Sequence, residues 1–339
     1  MGIEDEVMLL DPETLELIPR AAALLAGLEG DERFKPELPA SQLEIITGPA
    51  ATVADAAAQL LSARRHAADK GQGIARLGGA GVHPFSPGRG QLNHLRPYEH
   101  TIREYGPVAE LQLVCASQIH VSITGAERAL AVYNAARSYL PLLAALGANA
   151  AFYEGRDSEL ASVRSKLCDL LPRQGVPPAL TSWKAYADAL AWGQASGRYD
   201  AGRWWWELRL HPRFGSLEFR VPDAQATVAE VAALAAVTQS LVAWLSARHD
   251  AGERLLVAPD WRIAENRWSA CRHGVEGTMA DLESAAVAPT RERLEALLEV
   301  LEPFAARLEC SPELRAARGL VQENGAIRQR VAAADGGAR

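Results

Sequence analysis

The clearest alternation of hydrophobic and polar residues lies between residues 204 and 223, in the sequence WWWELRLHPRFGSLEFRVPD. A period of two with aromatic and branched side chains predicts two β-strands, and the central PRFG predicts a turn. This register places Arg209 opposite Glu218 and Glu207 opposite Arg220. Charged side chains then share one face of the hairpin, while Leu, Trp and Phe share the other.

Three earlier segments alternate in the same way, at residues 3–10, 37–47 and 111–123. Each carries polar side chains on one side of the predicted strand, and these pairs are Glu4 with Glu6, Gln42 with Glu44, and Gln118 with His120. A Gly-rich run at residues 77–85 predicts a short strand that leads into a turn.

Helical periodicity occupies most of the remaining chain. The predicted helices cover residues 19–28, 53–70, 98–105, 126–151 (one long helix or a broken pair), 181–194, 228–246 and the chain from about 275 to 334. A polar, Arg-rich stretch at residues 265–274 precedes the last of these. The strands show polar alternation, whereas the buried strands of parallel sheets are continuously apolar. We therefore predict an α+β fold, in which helices pack on the outer face of an antiparallel sheet.

The composition is that of a globular protein. The 339 residues are 48% hydrophobic and 23% charged, without an internal repeat or low-complexity block. We predict a single domain over residues 1–334 and a disordered tail at residues 335–339. The net charge of −7 argues against general nucleic-acid binding, which needs a basic surface, but leaves room for a small anionic substrate.

Cysteine usage and the N-terminus predict a cytoplasmic location. The four cysteines are scattered, without a CxxC motif, which is typical of a reduced protein. The first residues are acidic and lack the basic region of a signal peptide. The apolar run at 229–245 contains Glu230, Gln239 and Ser240, so we predict a buried helix there and no membrane span. The sequence leaves a homo-oligomer open.

Several nucleotide and hydrolase motifs are absent from the sequence. It has no GxxxxGK[ST], HExxH, complete GxGxxG or GxSxG, which argues against P-loop enzymes, zincins, Rossmann dehydrogenases and α/β-hydrolases. Neighbouring carboxylates on a strand face repel one another, so the pattern fits either a solvated face or a cation site. Arg164 and Arg173, in the segment 154–178, suit anion contacts or an ordinary solvated connection.

An ordered set of short motifs resembles the glutamate–cysteine ligase type 2 family of carboxylate–amine ligases, whose fold is related to glutamine synthetase. The motifs are GIEDE at 2–6, QLEIITGP at 42–49, GVHPF at 81–85, the central GRDSELASVRS and PRQGVPP, WELRLHPRFGSLEFRVPDAQ, and ENRWSACRHG. The resemblance runs from residue 2 to at least residue 277. Each motif is weak alone, and their order makes the resemblance specific.

The resemblance implies amide formation between a small carboxylate and an amine, with ATP and Mg²⁺, through an acyl phosphate. Glutamate and cysteine are the family's default substrates. By motif position, Glu4, Glu6, Glu44 and Glu218 would bind metal, while Arg220, Arg209 and Glu218 would be catalytic. Gln118, His120, Arg164 and Arg173 would contact substrate or nucleotide. The sheet would be curved, with its charged face inside a funnel-like active site.

Two stretches depart from the family pattern. CASQIHV at residues 115–121 has Gln118 where the family's CGxHVHV has its first histidine, and NAAFY at 149–153 replaces SSPFW. Our hypothesis is that Gln118 changes substrate choice and leaves the ATP half-reaction intact. One alternative is a guanidino-type phosphotransferase on a related fold. Another is a non-catalytic binding protein, which the Gln118 substitution favours and the retained carboxylates oppose.

Overall fold

A seven-stranded sheet organises the computed structural model, which describes residues 1–199 and 201–336. Its strands are β1 (Gly2–Leu10), β2 (Phe34–Pro36), β3 (Gln42–Ile46), β4 (Arg76–Gly78), β5 (Ser117–Ser122), β8 (Leu208–His211) and β9 (Ser216–Phe219). Two small ribbons pair β6 (Phe152–Tyr153) with β7 (Arg156–Asp157) and β10 (Thr278–Ala280) with β11 (Val287–Pro289). The main sheet is antiparallel, in the order β2-β3-β1-β5-β9-β8, and β4 also pairs with β1.

Helices make up much of the remaining chain. They are α1 (Ala21–Ala26), α2 (Val53–Lys70), α3 (Glu99–Tyr105), α4 (Ala126–Ala136), α5 (Leu140–Leu146), α6 (Arg164–Cys168), α7 (Trp183–Ala195), α8 (Val228–Asp250), α9 (Asp260–His273), α10 (Thr290–Arg307), α11 (Ser311–Gln322) and α12 (Gly325–Ala334). Helices α2, α4 and α8 contact the sheet, and α10 and α11 pack against α8. The predicted α+β class with an antiparallel sheet is confirmed.

The sheet face toward the helices forms the hydrophobic core. Ile3 and Val7 of β1, Ile45 of β3, Ile119 of β5 and Phe219 of β9 are almost fully buried. Burying such side chains stabilises the fold by roughly 1.5–3 kcal/mol each. A slip of one residue would exchange this face for the polar one, so the core fixes the register that the site depends on.

Helix α8 lies between the sheet and a second helical layer. Thr227 and Glu230 form a capping box at its start, and partners on both sides explain why it is apolar all round. Its length and mean hydropathy of 1.6 would suit a membrane span, but 72% of that window is buried inside the protein. This burial agrees with the buried helix predicted from the sequence.

Several predicted strands are shorter than expected. The run at 77–85 forms only β4, because its glycines serve close packing: a Cβ on Gly79 would lie 2.3 Å from the carbonyl oxygen of Gln225. The strand predicted over 111–123 shrinks to β5, which follows a 3-10 turn and an irregular segment. The first hairpin strand begins only at Leu208, so the three preceding tryptophans lie outside it.

The helical predictions hold more closely. Helix α2 covers the predicted 53–70, and the segment 126–151 is a broken pair in which Pro141 lies in the first turn of α5. Helix α12 ends at Ala334, where the predicted tail begins, and residues 337–339 of that tail lie outside the described residues. The single domain stays a prediction.

Candidate active site

The sheet face opposite the helices gathers polar side chains from neighbouring strands. Glu4 and Glu6 come from β1, Gln118 and His120 from β5, and Glu218 from β9. Glu4 pairs with Gln118, and His120 pairs with Glu218, across adjacent strands. The period of two that sends the apolar residues into the core brings these five side chains together on the other face.

Glu4, His120 and Glu218 form a compact group. One possible ligand atom from each lies within 4.8 Å of the others, and His120 Nε2 is 3.3 Å from Glu4 Oε1. Burial alone would raise the pKa of Glu218, but Arg220 and Arg209 outweigh it and lower the pKa to about 2. Glu218 is therefore ionised near neutral pH, and the group has the oxygen and nitrogen donors of a cation site.

Glu6, Glu37 and Glu44 form a second acidic group. Glu6 of β1 lies across from Glu44 of β3, and Glu37 follows the end of β2. Burial and the nearby Glu6 raise the pKa of Glu37 to about 8. Burial and Glu37 likewise hold the pKa of Glu44 well above its usual value. Burial first, and repulsion between the carboxylates second, disfavour their ionised forms, and a bound cation would favour those forms.

A chain of hydrogen bonds joins the two acidic groups. Arg220 Nη1 donates to Glu218 Oε1 at 2.6 Å and also to Gln118 Oε1. Gln118 Nε2 in turn donates to Glu6 Oε1 at 2.6 Å. The Gln118 amide therefore accepts from the Arg220 guanidinium through its oxygen and donates to the Glu6 carboxylate through its nitrogen. These two contacts fix the orientation of the amide.

The hairpin holds Glu218 from its other side as well. Arg209 lies opposite Glu218, as the sequence register predicted, and its Nε donates to Glu218 Oε2 at 2.5 Å. Glu207 also lies opposite Arg220, as predicted, because the backbone N–H of Arg220 donates to the Glu207 carbonyl at 2.8 Å. The side chain of Glu207 accepts from Arg267 Nε at 2.7 Å, because α9 brings this arginine against the end of the hairpin.

The two arginines singled out before the hairpin occupy different places. Arg164 is buried and donates to the backbone carbonyls of Val221 and Arg220, beside the acidic groups. Arg173 donates to Tyr105 Oη at 2.9 Å and stacks over the Trp205 ring, with its Cζ 5.4 Å from the ring centroid. Arg173 therefore belongs to an aromatic cluster and is not among the residues that line the two cavities described next.

Two cavities adjoin the acidic groups, and we call them the inner and the outer cavity. The inner cavity, of about 170 Å³, is lined by residues that include Glu6, Glu37, Gln42, Arg164, Glu207 and Arg220. The outer cavity, of about 480 Å³, is lined by residues that include Glu4, Thr47, His120, Arg213, Phe214 and Ser216. Each cavity reaches one of the acidic groups, so a molecule in either would lie next to carboxylates.

The structure divides the four predicted metal ligands. Glu4 and Glu218 join His120, while Glu6 and Glu44 join Glu37. Sequence reasoning missed Glu37, which precedes Leu38-Pro39 and projects from a break between strands. Strand periodicity does not apply there, so no pattern distinguished it from a solvated glutamate.

Comparisons with known proteins cover nearly the whole chain. The model of the glutamate-cysteine ligase family 2 matches residues 1–337. A Rubrobacter xylanophilus protein named "Putative glutamate--cysteine ligase 2-3" is 36% identical over 340 residues, 98% of this chain and 91% of that protein. A Gloeobacter violaceus protein named "Putative glutamate--cysteine ligase 2" is 33% identical over 341 residues, which cover 97% of this chain and 91% of that protein.

Solved structures show the same fold at low sequence identity. The glutamate–cysteine ligase of Francisella tularensis, solved in complex with AMP, has a TM-score of 0.69 and 12% identity, covering 99% of this chain and 85% of that one. A bifunctional glutathione synthetase from Pasteurella multocida has a TM-score of 0.68 and 14% identity, covering 98% of this chain and 49% of that one.

Proposed function

The chain belongs to the glutamate–cysteine ligase family 2, and on that premise we propose that it is an ATP-dependent carboxylate–amine ligase. ATP would phosphorylate a small carboxylate, and an amine would then attack the acyl phosphate to form an amide. Glutamate and cysteine, which would give γ-glutamylcysteine, are the default pair suggested by the names of the relatives.

The observation that carries this proposal is the pair of acidic groups joined through Arg220 and Gln118. Glu4, His120 and Glu218 would hold one Mg²⁺, and Glu6, Glu37 and Glu44 a second. The pairing of Glu6 with Glu44 across adjacent strands supports the second site, and carboxylate oxygens are ligands that suit Mg²⁺. Bound Mg²⁺ would supply neutralisation of the phosphate charge.

Arg220 is suited to the transferred phosphoryl group. Glu218 and Gln118 hold its guanidinium through Nη1, and the side chain also lines the inner cavity. A planar guanidinium can hydrogen-bond two oxygens at once, and a positioned cation stabilises charge that develops during transfer. Arg209 would act indirectly, by holding the Glu218 carboxylate in place.

We assign ATP to the outer cavity and the carboxylate and amine to the inner cavity. The outer cavity is larger and includes Phe214, which stacks on His211 at 4.3 Å with an angle of 8° between the rings. This aromatic surface suits a nucleotide base, and Arg213 suits its phosphates. The two cavities would be the ends of one funnel, whose wall is the curved, charged face of the sheet.

The proposal is tested by ADP release from Mg·ATP with pooled amino acids and amines. A ligase releases ADP and yields an amide only when both acid and amine are present. Release with a guanidino compound, with a phosphoguanidine as the product, would instead identify the phosphotransferase alternative. Substrate binding without ADP release from any mixture would leave the non-catalytic binding protein.

A further inference from the structure

Glu37 lies in the irregular segment between two strands of the sheet. Residues 37–41 join β2 to β3 and belong to neither strand. The backbone carbonyls of such a segment need donors from elsewhere, and those donors determine how each peptide group is oriented. Here the segment at residues 91–98 supplies several of them, so we examined what each contact fixes.

Asn93 makes most of these contacts. Its Nδ2 donates to the carbonyl oxygen of Glu37 at 2.5 Å and to that of Pro39 at 3.3 Å. Its backbone N–H donates to the carbonyl oxygen of Leu38 at 2.8 Å. An antiparallel β-bridge joins Pro39 to Leu92 beside it. Asn93 therefore donates to three consecutive carbonyls, beginning with that of Glu37.

One peptide group carries the effect of Asn93 to the Glu37 carboxylate. The peptide between Glu37 and Leu38 presents its carbonyl to Asn93 Nδ2, and its N–H donates to Glu37 Oε2 at 3.2 Å. A peptide group is planar, so a contact that fixes its carbonyl also fixes the direction of its N–H. Glu37 lines the inner cavity, and Asn93 is not among the residues that line it. Asn93 therefore orients the carboxylate from outside the cavity.

The Asn93 amide is not needed to hold the two segments together. Tyr98 Oη donates to the carbonyl oxygen of Pro36 at 2.5 Å, and the backbone N–H of Asn93 donates to Leu38 whatever side chain residue 93 carries. Removing the amide should therefore leave the segment at 91–98 in place. The peptide between Glu37 and Leu38 would lose the contact that fixes its carbonyl.

We propose that Asn93 is a positioning residue for Glu37, and that it aims the Glu37 carboxylate at a divalent cation shared with Glu6 and Glu44. The inference rests on the proposed function only in placing a cation at this acidic group. Partners that orient a metal ligand typically change metal affinity by roughly 10- to 100-fold when they are removed. Truncating the Asn93 amide should therefore weaken cation binding although every carboxylate remains.

The test measures binding of Mn²⁺ alone, which prefers the same oxygen ligands as Mg²⁺ and whose free ion is quantified by electron paramagnetic resonance. It uses Asn93→Ala, Glu37→Gln and the double variant, without nucleotide. We expect Asn93→Ala to weaken the Mn²⁺ site that Glu37→Gln weakens, by about 10-fold or more. In the Glu37→Gln background the same truncation should cause no further loss, because Asn93 acts through Glu37. Asn93→Leu keeps the side-chain size without the amide and should behave like Asn93→Ala.

Asn134→Ala is the matched control, because Asn134 Nδ2 also donates to a backbone carbonyl, that of Leu180 at 2.8 Å, and Asn134 is not among the residues lining either cavity. It should lower the urea midpoint while Mn²⁺ affinity remains. The inference is overturned if Asn93→Ala and Asn93→Leu bind Mn²⁺ like the parent, if the loss is the same in both backgrounds, if Asn134→Ala matches it, or if the parent binds no Mn²⁺. The expected losses without ADP release from any substrate mixture would refute the ligase proposal and leave this inference standing.

Discussion

Neutralising Glu37 should change how the stability of the metal-free protein depends on pH. The pKa of this carboxyl is raised from 4.5 to about 8, by burial and by Glu6. A group whose pKa is higher in the folded state binds a proton there that the unfolded chain has released. Its contribution to stability is therefore fully present below pH 4.5 and is lost as the pH rises to about 8.

The size of the effect follows from that interval. One pH unit corresponds to about 1.4 kcal/mol, so an interval of 3.5 units gives at most about 5 kcal/mol. The effect should be smaller than this limit, because the side chain is only half-buried and water screens its charge. Glu37→Gln cannot ionise, so the variant should gain stability relative to the parent as the pH rises.

Urea unfolding at a series of pH values, at constant ionic strength and with EDTA, measures this difference. The difference between variant and parent is more informative than either curve, because histidines titrate in both proteins. Excess Mg²⁺ should then stabilise the parent increasingly toward higher pH, since its ligands must be ionised, and should stabilise Glu37→Gln less. Parallel curves for the two proteins in EDTA would refute the reasoning.

Further changes test other parts of the structure. Arg220→Lys should keep the fold but lose most ADP release, because an ammonium cannot reproduce the planar fork. Parent-like turnover would reduce Arg220 to an ion-pair partner of Glu218. Gln118→His and Gln118→Ala should retain Mg·ATP binding and change acid-dependent ADP release. If either variant loses nucleotide binding as completely as Glu218→Ala does, Gln118 instead belongs to the residues that hold the metal. Thr227→Ala should cost about 1 kcal/mol of unfolding free energy through loss of the α8 cap, with Thr52→Ala at α2 as the matched comparison, and an unchanged midpoint would count against the capping argument.

Local signals explain which parts of the fold could be predicted from the sequence. The sequence predicts helix α2 to the residue, because its apolar spacing begins at Val53 and Gly71 follows its last residue. The pairing of Arg209 with Glu218 was predicted because a short turn fixes the register of a hairpin. In both cases residues close in sequence determine the structure.

Contacts between distant segments explain what the sequence did not predict. Glu207 pairs with Arg267, which lies 60 residues later in the chain. No pattern in the hairpin sequence indicates that α9 packs against it. The sequence context of Arg173 suits an anion contact, but its side chain donates to Tyr105 and lies over the Trp205 ring. The sequence identified residue types suited to chemistry, and only tertiary packing decided which of them line a cavity.

The geometry at Gln118 bears on whether the departure from the family pattern means loss of function. An amide carries a donor and an acceptor together, and here the donor meets Glu6 while the acceptor meets Arg220. A neutral imidazole could make the same two contacts, but a protonated one would present N–H groups on both sides and oppose the guanidinium. An amide does not titrate, so Gln118 offers the same donor and the same acceptor at every pH. The hydrogen-bonded chain between the two acidic groups is therefore kept. A binding protein that had lost catalysis would have no physical reason to preserve this link, together with carboxylates that repel one another.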